Sequence, residues 1–139
     1  MRANEIGIDQ VAVVEVPQIS TEVGDLAVVD EVGPLPFGPK RVFYLYDVPS
    51  GSDRGAHAHK ECHQFLVAVS GAFSVEVTDG LNTSVFDLNR PTFGLHVPPG
   101  IWAAEVNFSG GAICLVLASH EYDESDYIRD WNEFLKFKQ

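Results

Sequence analysis

Positive charge is scarce in this chain: nine Lys and Arg stand against 20 Asp and Glu in 139 residues, a formal net charge of -11 with histidine neutral. Such a surface repels polyanions at long range, which argues against extended nucleic-acid or anionic-membrane binding and leaves a small anionic ligand dependent on a local basic patch. Cysteine is scarcer still. Cys62 and Cys114 are too few for a disulfide framework, and Cys114 sits in the apolar run AICLVLA, where a thiol behaves as a small hydrophobe; both are expected to be reduced. Long apolar runs are missing too. None approaches the roughly 18 residues needed to span a bilayer, and MRANEIGIDQVAVVEVPQ lacks the apolar block and small-residue cleavage site of a signal peptide. A soluble, cytoplasmic protein without a membrane partner is the expectation. Internal repeats, low-complexity segments and linkers are also lacking, so the chain, 45% apolar, is expected to form one domain over residues 1–139 around a single core.

What is present is a series of short apolar runs bounded by glycine and proline: VAVVEV, LAVVD, RVFYLY, FLVAV, FSVEV, TSVFDL, FGLHV and AICLVLA. They predict many short strands. Strict alternation in Phe73-Ser74-Val75-Glu76-Val77-Thr78, followed by Asp79-Gly80, predicts a hairpin with a two-residue turn. The spacing of breakers fits a small sandwich or barrel. Only the C-terminus changes period. In SDYIRDWNEFLKFKQ, Ile128, Trp131, Phe134 and Leu135 fall three and four apart, Ser125 can cap the start, Asp126 suits the positive first turn, and Lys136 and Lys138 suit the last. An amphipathic helix packed on a β body follows.

The chemistry concentrates in RGAHAHKECHQ, residues 54–64. His57 and His59, one residue apart before a buried strand and Gly71, resemble the first motif of the cupin barrel. Gln64, however, occupies the place of the usual glutamate, and in Pro98-Pro99-Gly100-Ile101-Trp102-Ala103 an alanine replaces the usual later histidine. Zinc or iron normally takes three or more protein ligands, and a carboxylate offsets part of its charge, so loss of two ligands argues against a tight metal site. Glu61 or His63 could replace them only if residues 57–63 form an unbroken strand. Without metal, His57 and His59 are two imidazoles suited to proton transfer near neutral pH. Arg54 can pair bidentately with a carboxylate or phosphate, and Lys60 adds charge beside it.

The blocks KRVFYLYD, RGAHAHKECHQFLVAVSGAFSVEV, GLHVPPGIW and VLASHEYDESDYIRDWNEF together resemble the WxcM-like sugar 3,4-ketoisomerases of the cupin superfamily, over residues 39 to 135. The resemblance implies an all-β, cupin-type jelly-roll barrel with a short C-terminal helix, forming a homodimer. It implies an isomerase without metal or redox cofactor that moves the keto group between carbons 4 and 3 of a dTDP-linked 6-deoxyhexose through an enediol. His59 is then the main base, His57 its partner at the oxygens, and Tyr44 a proton relay, a role Tyr46 could equally fill. Gln64 is expected to hold a histidine or sugar hydroxyl, and Trp102 to line the cavity or belong to the core. The acidic stretch Glu121 to Tyr127 is expected to start the helix, without a catalytic role. The family's early Asp-x-Arg-Gly-x-Leu reads Thr21-Glu22-Val23-Gly24-Asp25-Leu26 here, so Val23 stands where a diphosphate-contacting arginine would be. Arg54, Lys60, Arg41 and Arg90 are the cations left for that task. A noncatalytic cupin binding a carbohydrate or nucleotide-sugar, and a metal-dependent cupin, are the competing readings.

Overall fold

Short strands with one apolar face bury it by packing sheet against sheet. The computed structural model, describing Met1–Gln139, does this with twelve strands: β1 Ala12–Glu15, β2 Gln18–Thr21, β3 Gly24–Ala27, β4 Arg41–Leu45, β5 Arg54–His59, β6 Gln64–Ser70, β7 Phe73–Thr78, β8 Thr83–Leu88, β9 Phe93–Val97, β10 Trp102–Val106, β11 Ile113–Ala118 and β12 Tyr127–Ile128. One sheet runs β1-β9-β6-β11-β4, the other β12-β5-β10-β7-β8, and β2 pairs only with β3 in an exposed hairpin. The class is all-β, as expected. The two sheets are not joined by hydrogen bonds into a closed barrel, so the architecture is a jelly-roll sandwich rather than the barrel anticipated.

The core lies between the sheets. Leu66, Ala68, Leu95, Cys114 and Val116 of one face meet Phe73, Val75 and Val77 of the other. Strand β6 is apolar without alternation because it is covered twice: Phe65 and Val67 turn outward, under Leu35 and Phe37. On β4 the alternation places Phe43 and Leu45 against the core and leaves Val42 and Tyr44 exposed on the outer face.

Three expectations shift. The run LAVVD contributes only Leu26 and Ala27 to a strand. The β7–β8 turn is closed by Asp79 N–H donating to Asn82 carbonyl at 3.2 Å, so its tip is Gly80-Leu81, one residue later than predicted, with Gly80 at φ 99°. The Asp79 carboxylate takes the Leu81 and Asn82 N–H groups instead.

The third correction concerns the helix. It begins at Trp131, not near Ser125, and α1 spans Trp131–Phe137 with Asp130 as its cap, accepting from Glu133 N–H at 3.0 Å. Upstream, Asp123 caps a 3-10 turn over Glu124–Asp126, and Tyr127–Ile128 then pairs with β5. Phe134 of the helix is fully buried with Ala58 and Ile128 on the outer face of the second sheet. Lys138 Nζ donates to the carbonyls of Ile6 at 2.6 Å and Gly100 at 2.8 Å, tying the two termini together.

Candidate active site

Strand β5 has two faces with different fates. Ala58 faces the helix, and on the opposite face Gly55, His57 and His59 form an inward row. His57 lies opposite Ala103 of β10, itself packed on the core, and His59 lies opposite Tyr127. The imidazoles of His57 and His59 meet edge to face with centroids 5.0 Å apart. Tyr127 packs on both, at 5.0 Å from His57 and 4.4 Å from His59. Arg129 stacks its guanidinium 4.2 Å from the centroid of the Tyr127 ring and is held by Glu124 at 2.6 Å and 3.0 Å. That pair, with Tyr122 donating to Glu124, pushes the exposed Glu124 carboxyl down to about 2.

Asp126 anchors the row from behind. Its carboxylate accepts from Glu61 N–H at 2.7 Å and Cys62 N–H at 3.3 Å, and its Oδ2 is 2.9 Å from His59 Nδ1. An acceptor oxygen at that place puts the proton on Nδ1 and the lone pair on Nε2. His59 Nε2 is buried and has no partner. Burial lowers the His59 pKa, against the opposing pull of Asp126, and drives His57 down to about 4, with His59 and Arg129 adding repulsion. Both rings are therefore neutral at pH 7, and His59 presents a desolvated base whose conjugate acid has a carboxylate waiting for it.

Two further buried side-chain atoms lack partners, Arg41 Nε and Glu105 Oε2, and both belong to inward-facing positions. Arg41 shares the parity of Phe43 and Leu45, lies under the Tyr122 ring at 5.7 Å, and its charge acts on His59. A half-buried guanidinium without an acid partner, in a chain with 20 carboxylates, is poised for a ligand oxygen. Glu105 lies two residues beyond Ala103 on the same face of β10, and burial pushes its pKa up to about 7.

The expected residues divide accordingly. His57, His59 and Arg41 come together. Gln64 is buried on the face of β6 that carries Leu66 and Ala68, with no side-chain hydrogen bond to a histidine. Tyr44 and Tyr46 do not join the histidines: they pair with each other at 5.9 Å on the exposed outer face, because Phe43 and Leu45 take the inward parity. Trp102 does not line the interior either. It packs on Trp131 at 5.3 Å and Phe134 at 5.5 Å beneath the helix. Arg54 and Lys60 are exposed at the two ends of β5, and Arg90 is remote, beside Glu15 and Thr92. Val23 is almost fully exposed at the tip of the β2–β3 hairpin.

Sequence reasoning missed Asp126, Tyr127 and Glu105. The signal was in DESDYI, where a β-prone Tyr-Ile pair follows acids that a helix start does not require. His59, Cys62 and Asp126 also bring one metal-ligating atom each within 4.8 Å of one another. Asp126 already accepts three N–H groups there, and the cluster lies on the Nδ1 side of His59, away from the free Nε2.

An all-β jelly roll with a carboxylate-anchored histidine and a neutral second histidine on one inner face has the make-up of a cupin-fold protein. The comparisons make this specific. Residues 9–139 match the family model described as WxcM-like, C-terminal. The TDP-4-oxo-6-deoxy-alpha-D-glucose-3,4-oxoisomerase of Aneurinibacillus thermoaerophilus is 40% identical over 114 residues, 82% of each chain. A 3,4-ketoisomerase from Helicobacter canadensis superposes with a TM-score of 0.89 at 38% identity, covering 93% of this chain and 97% of that one. A sugar 3,4-ketoisomerase from Thermoanaerobacterium thermosaccharolyticum, in complex with TDP, does so with a TM-score of 0.89 at 32% identity, covering 93% and 94%. The chain belongs to the WxcM-like family of sugar 3,4-ketoisomerases.

Proposed function

We propose that this chain is an isomerase that moves the keto group between carbons 4 and 3 of a dTDP-linked 6-deoxyhexose, with His59 as the carbon base. The observation that carries the reading is the unpartnered, buried Nε2 of His59, set opposite an Nδ1–H that Asp126 holds. In a 4-keto sugar the hydrogen on carbon 3 is acidified by the neighbouring carbonyl. His59 Nε2 takes that proton, the electron pair moves into the C3–C4 bond, and the charge collects on the carbon 4 oxygen. Asp126 offsets the imidazolium so formed, as in the carboxylate–histidine pairs of hydrolases. Protonation of the carbon 4 oxygen gives the enediol. Loss of the carbon 3 hydroxyl proton and delivery of a proton to carbon 4 complete the shift, with atoms and charge balanced. His57, neutral and in contact with both His59 and Tyr127, is the group that moves a proton between the two oxygens, and Tyr127 takes the relay role first expected of Tyr44.

Arg41 is the cation for the diphosphate or the developing oxyanion, since it is half-buried, unpaired and close enough to His59 to act on it electrostatically. It stands in for the arginine that Val23 replaces. A homodimer is supported by the apolar side chains left exposed on the outer face of β4 and on the hairpin: Val42, Tyr44, Ile19, Leu26 and Val23.

Turnover by the purified chain tests the reading. Given dTDP-4-keto-6-deoxyglucose, it should yield the 3-keto sugar, seen by NMR, while sedimentation velocity on the same sample reports a dimer. Tight binding of the nucleotide-sugar with no carbonyl shift would replace the enzyme with a noncatalytic binding protein.

A further inference from the structure

Glu105 is a carboxyl with no visible structural employment. It is buried, its Oε2 has no hydrogen-bond partner, and no ion pair joins it to Arg54, the residue opposite it in the β10–β5 ladder. A native interior seldom leaves such a group unsatisfied, because an unpaired buried polar atom costs free energy that an apolar residue would not. The backbone has been shaped around it. Gly55 sits at φ +84°, and a Cβ there would run into the Glu105 carboxyl, so the strand opposite has given up a side chain to make room. The carboxyl consequently lies over Gly55, at an irregularity of the ladder where the two steps from Ala103 to Glu105 on β10 span three on β5, from His57 to Arg54, and the next inward residue on β10 is the small Ala103. Its own backbone N–H and the Arg54 charge oppose the effect of burial on it, and the carboxyl in turn acts on the buried Cys114 thiol.

The inward-facing positions of three strands thus supply four polar groups: the Glu105 carboxyl from β10, His57 and His59 from β5, and Arg41 from β4. Resting on the ketoisomerase reading, the substrate's chemistry limits what the carboxyl can meet. A nucleotide-linked 4-keto-6-deoxyhexose has two free ring hydroxyls, on carbons 2 and 3, and the one on carbon 3 becomes the product carbonyl. We infer that the Glu105 carboxyl receives the carbon 2 hydroxyl of the sugar and so fixes which carbon–hydrogen bond faces His59. Glu105 is a specificity-determining group of the sugar pocket, and the carbon-bound proton transfer remains with His59.

The test pairs a substrate deletion with a protein deletion. The sugars are dTDP-4-keto-6-deoxyglucose and its 2-deoxy counterpart, and the proteins are wild type, Glu105→Gln and Glu105→Leu. In wild type, removing the carbon 2 hydroxyl should lower kcat/KM by about 30-fold, because a site built to hydrogen-bond a hydroxyl rejects the analogue that lacks it. Glu105→Gln, which can still accept and donate, should keep most of that ratio. Glu105→Leu should collapse it to about 1 by losing the parent sugar rather than gaining the analogue. Calorimetric affinities for the same two sugars provide a readout that does not need turnover, so an inactive wild type would overturn the isomerase reading while the affinity ratio still decides this one. A wild type that handles both sugars alike in rate and affinity, or a Leu variant that keeps the full ratio, overturns the assignment.

Discussion

Two histidine pairs sit in this molecule at nearly the same separation, and they do opposite things with their nitrogens. His57 and His59 meet edge to face at 5.0 Å, and His63 and His96 lie nearly parallel at 5.2 Å. In the second pair His63 Nδ1 and His96 Nε2 are 2.9 Å apart, so each ring spends a nitrogen on the other, beneath Phe37 on the outer side of the first sheet. No carboxylate stands behind either ring, and burial pushes both below the ordinary imidazole range, His96 to about 4. In the first pair His59 spends Nδ1 on Asp126 and keeps Nε2 free, facing the interior. Proximity of imidazoles is common to both pairs. What separates the pair we propose for proton transfer from the other is the carboxylate behind one ring and the unoccupied nitrogen in front of it.

The largest effect that would break this comparison is a rate. His59→Asn can still bond Asp126 but has no base, and steady-state kcat should fall by about 10² to 10⁴, the contribution typical of a positioned general base. His63→Asn in the same assay should stay within about threefold of wild type. Equal losses from the two would mean that the distinction drawn from Asp126 is empty.

Asp126→Asn tests the carboxylate itself. It removes the carboxylate that holds the tautomer and stabilises the imidazolium, so kcat should drop by up to about 10⁴, the cost of the same change in a hydrolase triad. The sign of its pH effect is fixed independently. Asp126 raises the His59 pKa against the burial that lowers it, so the variant's His59 should titrate lower and the acid limb of kcat/KM should move to lower pH. A loss of rate with an unmoved acid limb would point to a collapsed β5–β6 turn, which Asp126 also holds through Glu61 and Cys62.

The sequence made some of this legible. His57 and His59 share a face because strands alternate with period two, and the breakers after Gln64 to Ser70 place that face beside a buried strand. The partners were not legible for reasons of geometry. Asp126 is 67 residues from His59 in the chain, and its Ser-Asp context fits a helix start as well as the 3-10 turn it occupies. Tyr44 was misplaced because both parities of RVFYLY are apolar or aromatic, so alternation could not say which would face inward; packing chose Phe43 and Leu45. For Trp102 the Pro-Pro-Gly turn locates β10 but not its parity, which left cavity and core both open, and packing under the helix chose the core. Glu105 carries no local mark at all, because the space it occupies is made by a glycine 50 residues away.

The smallest expected effect sharpens the comparison at the pair that has no carboxylate behind it. His96 stays neutral in the fold down to about pH 4, whereas an unfolded histidine titrates near 6.5. Between those values the unfolded state binds more protons, so the stability this neutral ring preserves is complete above pH 6.5 and is lost as pH falls toward 4. His57 has the same displacement and the same sign. Replacing His96 with phenylalanine, which can still stack under Phe37, should therefore flatten but not abolish the fall in melting temperature between pH 7 and pH 5, and should leave kcat at pH 7 within about twofold. Replacing His57 with asparagine should flatten the same curve while costing activity, because that ring also touches the base. Differential scanning calorimetry at the two pH values, read beside one rate measurement, separates the pairs: they respond alike as buried neutral imidazoles, and only the pair with Asp126 behind it responds as an active site.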